Sequence, residues 1–162
     1  MAVVKANAYG HGAIECSKTL EDLGCDFFSV FTVEEAKELR NAGLKSDILI
    51  LSKLEKESIQ AAIDNDLIVN ISSINDLDSI ISFLEKNGLS PRFHMKIETG
   101  MNRLGFDLSD ISLSIGKLLD YKNLNCEGIY THYATSDEGD LSYAHLQQER
   151  FEQALELSLI HI

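Results

Sequence analysis

Short apolar runs alternate with helical stripes of apolar residues along the whole chain. Ala2-Val3-Val4 run into Lys5, and Gly10 and Gly12 then break the run. That pattern predicts a short buried strand ended by a tight turn, with a helix after it. Ala13, Cys16, Leu20 and Leu23 recur at helical spacing, and Gly24 can close that helix. Phe27 to Phe31 predicts a second strand. Thr32 and Glu35 form a capping box ahead of the stripe Ala36, Leu39 and Ala42, which Gly43 ends. Asp47 to Leu51 predicts a third strand, and Ser52 with Glu55 predicts a second capping box, before Leu54, Ile59, Ala62 and Ile63. Leu67 to Ile71 reads as the fourth strand. A helix follows through Leu77, Ile80, Ile81 and Leu84, with Gly88 and Pro91 as stop signals. Arg92 to Glu98 is the fifth strand, and Asp107 and Asp110 open a helix carrying Ile111, Ile115, Leu118 and Leu119. Residues 124–133 predict a sixth strand and 141–160 a long helix.

Regular alternation of apolar strands with helices predicts an α/β fold, a parallel sheet covered by helices. The even, short spacing suits a barrel better than an elaborated open sheet. A complete (β/α)8 barrel has eight units and about 250 residues. About six units are legible here. The expectation is therefore a partial TIM-type barrel forming one domain over residues 1–162. It is read as truncated at both ends, since it opens directly on a strand and stops in the apolar helix Leu155 to Ile162.

Charge and cysteine usage narrow the function. The net charge of −12 comes from acidic residues spread along the chain. It argues against nucleic acid and anionic membranes as partners, because both attract basic surfaces. Cys16, Cys25 and Cys126 are an odd number without metal spacing, which favours free thiols in a reducing, cytoplasmic setting. His11, His94, His145 and His161 have no partner spacing that suggests a metal either. No apolar run approaches the ~20 residues of a membrane helix, and the opening residues are read as carrying no secretory signal.

Three stretches carry candidate chemistry. Lys5 stands where a strand stops, the usual place for active-site groups in a barrel. A partly buried amine there loses its proton more readily and can attack a carbonyl. The residues alone equally allow a strand-end lysine reaching to water. Phe93 to Phe106 is a strand running into a glycine-bounded turn, with Lys96 in the strand and Arg103 in the loop. A fixed guanidinium suits a carboxylate or a cofactor oxygen. The alternatives are a surface arginine and, for Lys96, a pleat residue paired with a carboxylate. His132 falls near the end of the sixth strand, where it can stack, exchange protons or serve as a hydrogen-bonded structural residue.

Together these stretches resemble a known family. Val3-Val4-Lys5-Ala6-Asn7-Ala8-Tyr9-Gly10-His11-Gly12 resembles the cofactor-lysine motif of the alanine racemases. Lys96 through Gly105 is similar to that family's second signature, and Thr131 to Asp137 to its third, in the same order. The resemblance implies the pyridoxal 5'-phosphate barrel domain of a cytoplasmic, homodimeric enzyme. That enzyme interconverts L- and D-alanine for peptidoglycan precursors. It implies that Lys5 carries the cofactor covalently and handles the α-proton on one face, and that Tyr9 bonds the phosphate. Arg103 would lie beside the phenolic oxygen, His132 against the pyridine ring, and Lys96 at a position carbamylated in many members. No metal is implied. The second base would be a tyrosine of a following β domain in the other subunit, so this stretch alone is expected to be inactive. A broad-specificity amino-acid racemase and a non-catalytic pyridoxal-phosphate homeostasis protein are the alternatives. The length of the lysine motif and the Met101-Asn102-Arg103 signature favour the alanine racemase.

Overall fold

Among the described residues six parallel strands lie side by side in chain order, β1 to β6, in one unclosed sheet. They are β1 (Ala2–Val3), β2 (Phe27–Val30), β3 (Asp47–Ile50), β4 (Ile68–Ile71), β5 (Arg92–Lys96) and β6 (Asn125–Tyr130). The computed structural model describes residues 1–159; the expectations for Ile160, His161 and Ile162 lie outside them. The helical segments are α1 (Lys5–Tyr9), α2 (Ala13–Asp22), α3 (Val33–Asn41), α4 (Ser58–Asp64), α5 (Ile74–Asn87), α6 (Leu108–Asp120) and α7 (Ser142–Leu159). Every strand pair is parallel, with Phe28 beside Ile48, Asn70 beside His94 and Lys96 beside Tyr130. Among the described residues no helix is long and apolar enough to cross a membrane.

The pleat sorts residues between two faces. Phe28, Val30, Ile48, Ile50, Val69, Ile71, Phe93 and Met95 point one way and join Ala36, Leu39, Ile59, Leu77, Ile80 and Ile111 of the helices in a single core. Each large side chain fully buried there contributes about 1.5–3 kcal/mol. The alternate positions face the other way. Leu49 and Ile68 are buried outside that core, and Ser29, Asn70 and Lys96 are buried polar groups on the same inner face. A closed barrel would enclose this face.

At the amino ends of the strands, Arg92 of β5 gathers Asp47 at 2.8 Å, Asp66 at 3.1 Å and Glu127 at 2.8 Å. One guanidinium so ties β3, the turn before β4 and β6 at the end of the sheet away from the loops discussed below.

The predicted Thr32–Glu35 capping box opens α3: Glu35 N–H donates to Thr32 Oγ1 at 3.2 Å and Thr32 N–H to Glu35 Oε2 at 3.1 Å. The Ser52–Glu55 box does not form; α4 starts only at Ser58, with no side-chain cap. Ser52 is committed to the sheet instead. Its N–H donates to the Phe31 carbonyl at 3.0 Å, and its carbonyl accepts from Asn70 Nδ2 at 3.3 Å. The sixth strand stops at Tyr130 rather than 133, because Thr131 turns to donate its hydroxyl to the Ile97 carbonyl at 2.9 Å.

Candidate active site

Lys5 sits at the carboxyl end of β1. Val4 N–H extends the ladder by donating to the Ser29 carbonyl at 2.9 Å, and Val4 is buried. The chain then makes a left-handed turn: Ala6, Asn7, Ala8 and Tyr9 all have φ between 51° and 55°. Such a conformation costs an L-residue about 1–2 kcal/mol. Specific bonds offset it. Ala6 N–H donates to Glu35 Oε1 at 2.6 Å, and Ala13 N–H to Asn7 Oδ1 at 2.8 Å. Glu35 therefore both caps α3 and fixes the turn that presents Lys5. The Lys5 ammonium lies 5.9 Å from the centre of the Phe31 ring, within cation–π range. Strand, turn and helix follow in the predicted order, but the strand is only Ala2–Val3, and nothing in the sequence pattern gives the hand of the turn.

The loop after β5 is closed on itself. Phe106 N–H donates to the Lys96 carbonyl at 2.8 Å, and Glu98 N–H to the Phe106 carbonyl at 3.0 Å. Gly105 lies against the backbone of Ile97 and Glu98 with φ of 147°, leaving no room for a Cβ. Glu98 organises the interior of the loop, accepting from Gly100 N–H at 2.5 Å and Arg103 N–H at 3.1 Å. Burial raises the pKa of this carboxyl. The surrounding N–H groups of Asn102, Gly100, Arg103 and Met101 outweigh that and hold it below the usual range.

Lys96 is 4% exposed on the inner face, with its ammonium 5.8 Å from the centre of the Tyr130 ring. Burial pushes its pKa down, and the charges of Arg103 and Lys5 push the same way against Glu98. Among the described residues no carboxylate forms an ion pair with it. His132 follows β6. Partial burial lowers its pKa first, then Lys96, Arg103 and Lys5, so the neutral imidazole is favoured. The Tyr130 phenol is raised by burial, against Arg103, and donates to Asn70 Oδ1 at 2.9 Å.

The structure thus brings Lys5, Lys96, Arg103 and His132 together at the carboxyl ends of β1, β5 and β6, close enough for their charges to act on one another. Tyr9 is 61% exposed on the turn after Lys5 and shares no described contact with the other four. Sequence reasoning missed Glu98, Asn70, Tyr130 and the Glu35 bond to the Lys5 turn. For Glu98 a signal existed: a carboxylate directly before a Thr-Gly loop suits the backbone N–H groups such a loop exposes. For Asn70 and Tyr130 none did, since their meeting depends on strands far apart in the chain.

Chemically the site offers two amines, a guanidinium and an imidazole favoured neutral, while the Glu98 and Glu35 carboxylates beside it are held by backbone N–H groups. Such a donor set suits an anionic, carbonyl-bearing ligand. Fold and site together define a partial parallel α/β barrel with two lysines, an arginine and a histidine gathered at the carboxyl ends of its strands.

The comparisons give the family. The model of the family described as "Alanine racemase, N-terminal domain" matches residues 1–159, and the chain belongs to that family. The alanine racemase of Methanococcus maripaludis is 41% identical over 152 residues, covering 93% of this chain and 41% of that protein. Alanine racemase 1 of Bacillus subtilis is 38% identical over 156 residues, 96% of this chain and 40% of its own length. The solved alanine racemase of Clostridium difficile 630 superposes with a TM-score of 0.89 at 31% identity, over 96% of this chain and 41% of that one. The chain spans about two fifths of the relatives it matches.

Proposed function

We propose that the full-length protein is a pyridoxal-phosphate-dependent alanine racemase. It interconverts L- and D-alanine, works as a cytoplasmic homodimer and supplies D-alanine for peptidoglycan precursors. Residues 1–162 belong to its cofactor barrel domain. The observation that carries this reading is the gathering of Lys5, Lys96, Arg103 and His132 at the strand ends, in a chain of this family.

The residues fit the cofactor, whose phosphate and phenolic oxygen are anionic and whose aldehyde calls for an amine. When bound, pyridoxal phosphate supplies an electron sink that makes an amino acid's α-proton removable. Lys5 would hold the cofactor through its amine and would move the proton at the substrate α-carbon on one face. Arg103 would hold the phenolic oxygen and orient the substrate, a task for a planar fork with several donors. His132, favoured neutral, would lie against the pyridine ring, and Tyr9 would donate to the phosphate. Racemisation also needs a proton carrier on the opposite face, which the remainder of the protein provides.

Lys96 has a further role in this reading. Its lowered pKa favours the neutral amine. That amine adds to carbon dioxide, forming an N–C bond and releasing one proton, so that a cation becomes a carbamate anion. The carbamate then holds Arg103 by a charge-assisted hydrogen bond. The test of the function is incubation of the full-length protein with L-alanine and pyridoxal phosphate, followed by enantiomer-resolving chromatography. D-alanine should approach an equal mixture with L-alanine. Cofactor binding without any D-alanine contradicts the racemase and favours the homeostasis protein; faster turnover of other amino acids favours the broad-specificity enzyme.

A further inference from the structure

One fully buried side chain beside the site has no part in the chemistry above. Gln147 of α7 is 0% exposed and spends its amide on two loops. Its Nε2 donates to Thr99 Oγ1 at 3.1 Å and to the His132 carbonyl at 3.0 Å, and its Oε1 accepts from Ala134 N–H at 2.8 Å. Thr99 belongs to the loop that carries Arg103; His132 and Ala134 belong to the loop after β6. The loops also meet directly, with Thr99 Oγ1 and Thr131 Oγ1 2.8 Å apart. Because the Thr131 hydroxyl donates to the Ile97 carbonyl, its oxygen accepts from Thr99, and Thr99 in turn accepts from Gln147. One directed chain therefore runs from the Gln147 amide through both hydroxyls to the end of β5. The same helix adds Tyr143, whose hydroxyl donates to the Gly100 carbonyl at 2.7 Å, and Arg150, which donates to the Thr99 carbonyl at 2.9 Å. Residues 143, 147 and 150 share one helix face by their spacing.

We infer that Gln147 is a positioning residue that holds the Arg103 loop and the His132 loop in one frame. It fixes the separation at which guanidinium and imidazole meet the cofactor. The inference rests on the racemase reading for what the two loops carry; the bonds themselves are independent of it.

The experiment uses Gln147→Met and Thr99→Val in the full-length protein loaded with pyridoxal phosphate. Gln147→Met keeps the length and removes all three bonds; Thr99→Val breaks only the middle of the chain. The readouts are the thermal midpoint, kcat and KM for alanine, and the pH titration of the bound cofactor's absorption. Misplacing reacting groups by about 1 Å can cost about 100-fold in rate, so Gln147→Met is expected to lower kcat by about 10–100-fold. KM should stay within about threefold, since orientation rather than ground-state binding is lost. The absorption titration should move, because His132 no longer sits at its set distance from the ring. Thr99→Val should change the same readouts in the same direction by less, and it decides the matter if Gln147→Met does not fold. Variants that melt lower yet keep the wild-type kcat and absorption titration would overturn the inference and leave Gln147 a structural residue. If the wild-type protein binds cofactor without racemising alanine, the racemase reading fails on its own. The titration shift still tests Gln147.

Discussion

Replacing Lys96 by methionine removes a buried cation while keeping most of its volume. Lys96 is 4% exposed, has no ion-pair partner among the described residues, and feels Arg103 and Lys5 as like charges. Well-packed apolar residues in place of buried charges are often more stable by about 1–4 kcal/mol. The Tyr130 ring at 5.8 Å returns about 2 kcal/mol to a desolvated ammonium. The net expectation is that cofactor-free Lys96→Met is more stable than wild type by up to about 2 kcal/mol in buffer depleted of carbon dioxide. At about 2–4 °C per kcal/mol for a protein of 150–250 residues, and less for a larger one, thermal melts resolve that gap. The pH dependence follows from the lowered pKa. The lysine's cost to the folded state is full below its folded-state pKa and disappears as pH rises to the ordinary value of 10.5. The gap between variant and wild type is therefore widest near neutral pH and closes in alkali. Bicarbonate should stabilise the wild type and leave the variant unchanged, because only the lysine can take up carbon dioxide. With cofactor bound, kcat of the variant should fall as Arg103 loses its support. A Lys96→Met protein that melts below wild type at neutral pH without carbon dioxide would refute the uncompensated cation.

Arg103→Lys in the full-length protein should lower kcat more than it lowers the thermal midpoint, because lysine keeps the charge and loses the planar fork; unchanged turnover would remove Arg103 from the site. Gly105→Ala should cost more than about 1 kcal/mol, since the backbone has φ of 147° and the added carbon meets Ile97 and Glu98, and a melt within error of wild type would contradict that packing. Glu98, with its pKa held below the ordinary 4.5, stabilises the fold above that pH and loses the contribution as pH falls through its lowered folded-state value. Glu98→Gln offers one acceptor oxygen instead of two and should flatten the acid limb of the melting profile; an acid limb of unchanged slope would show that the loop does not depend on the carboxylate.

Much of the fold was legible because apolar spacing is local information. The strands at Phe27, Asp47, Leu67 and Arg92 and the Thr32–Glu35 cap each follow from a few neighbouring residues. The Ser52–Glu55 box has the same local signature and fails, because the Phe31 carbonyl and the Asn70 amide claim Ser52 from distant segments. The site divides the same way. Lys5 and His132 could be placed near strand ends from the sequence, Lys96 within a strand and Arg103 in the loop after it, and the structure puts the four within reach of one another's charges. Tyr9 was placed by resemblance alone. The left-handed turn after Lys5 and the Gln147 chain stayed hidden, since each depends on distant partners, Glu35 for the turn and Thr99, His132 and Ala134 for Gln147.

The central claim is that Lys5 alone carries the cofactor, and chemical labelling tests it most directly. The full-length protein is loaded with pyridoxal phosphate, reduced with borohydride, digested and mapped by mass spectrometry. The expected result is a single pyridoxyl adduct on the peptide containing Lys5, lost in Lys5→Ala. An adduct on Lys96, or equal labelling of surface lysines such as Lys37 and Lys53, would contradict it.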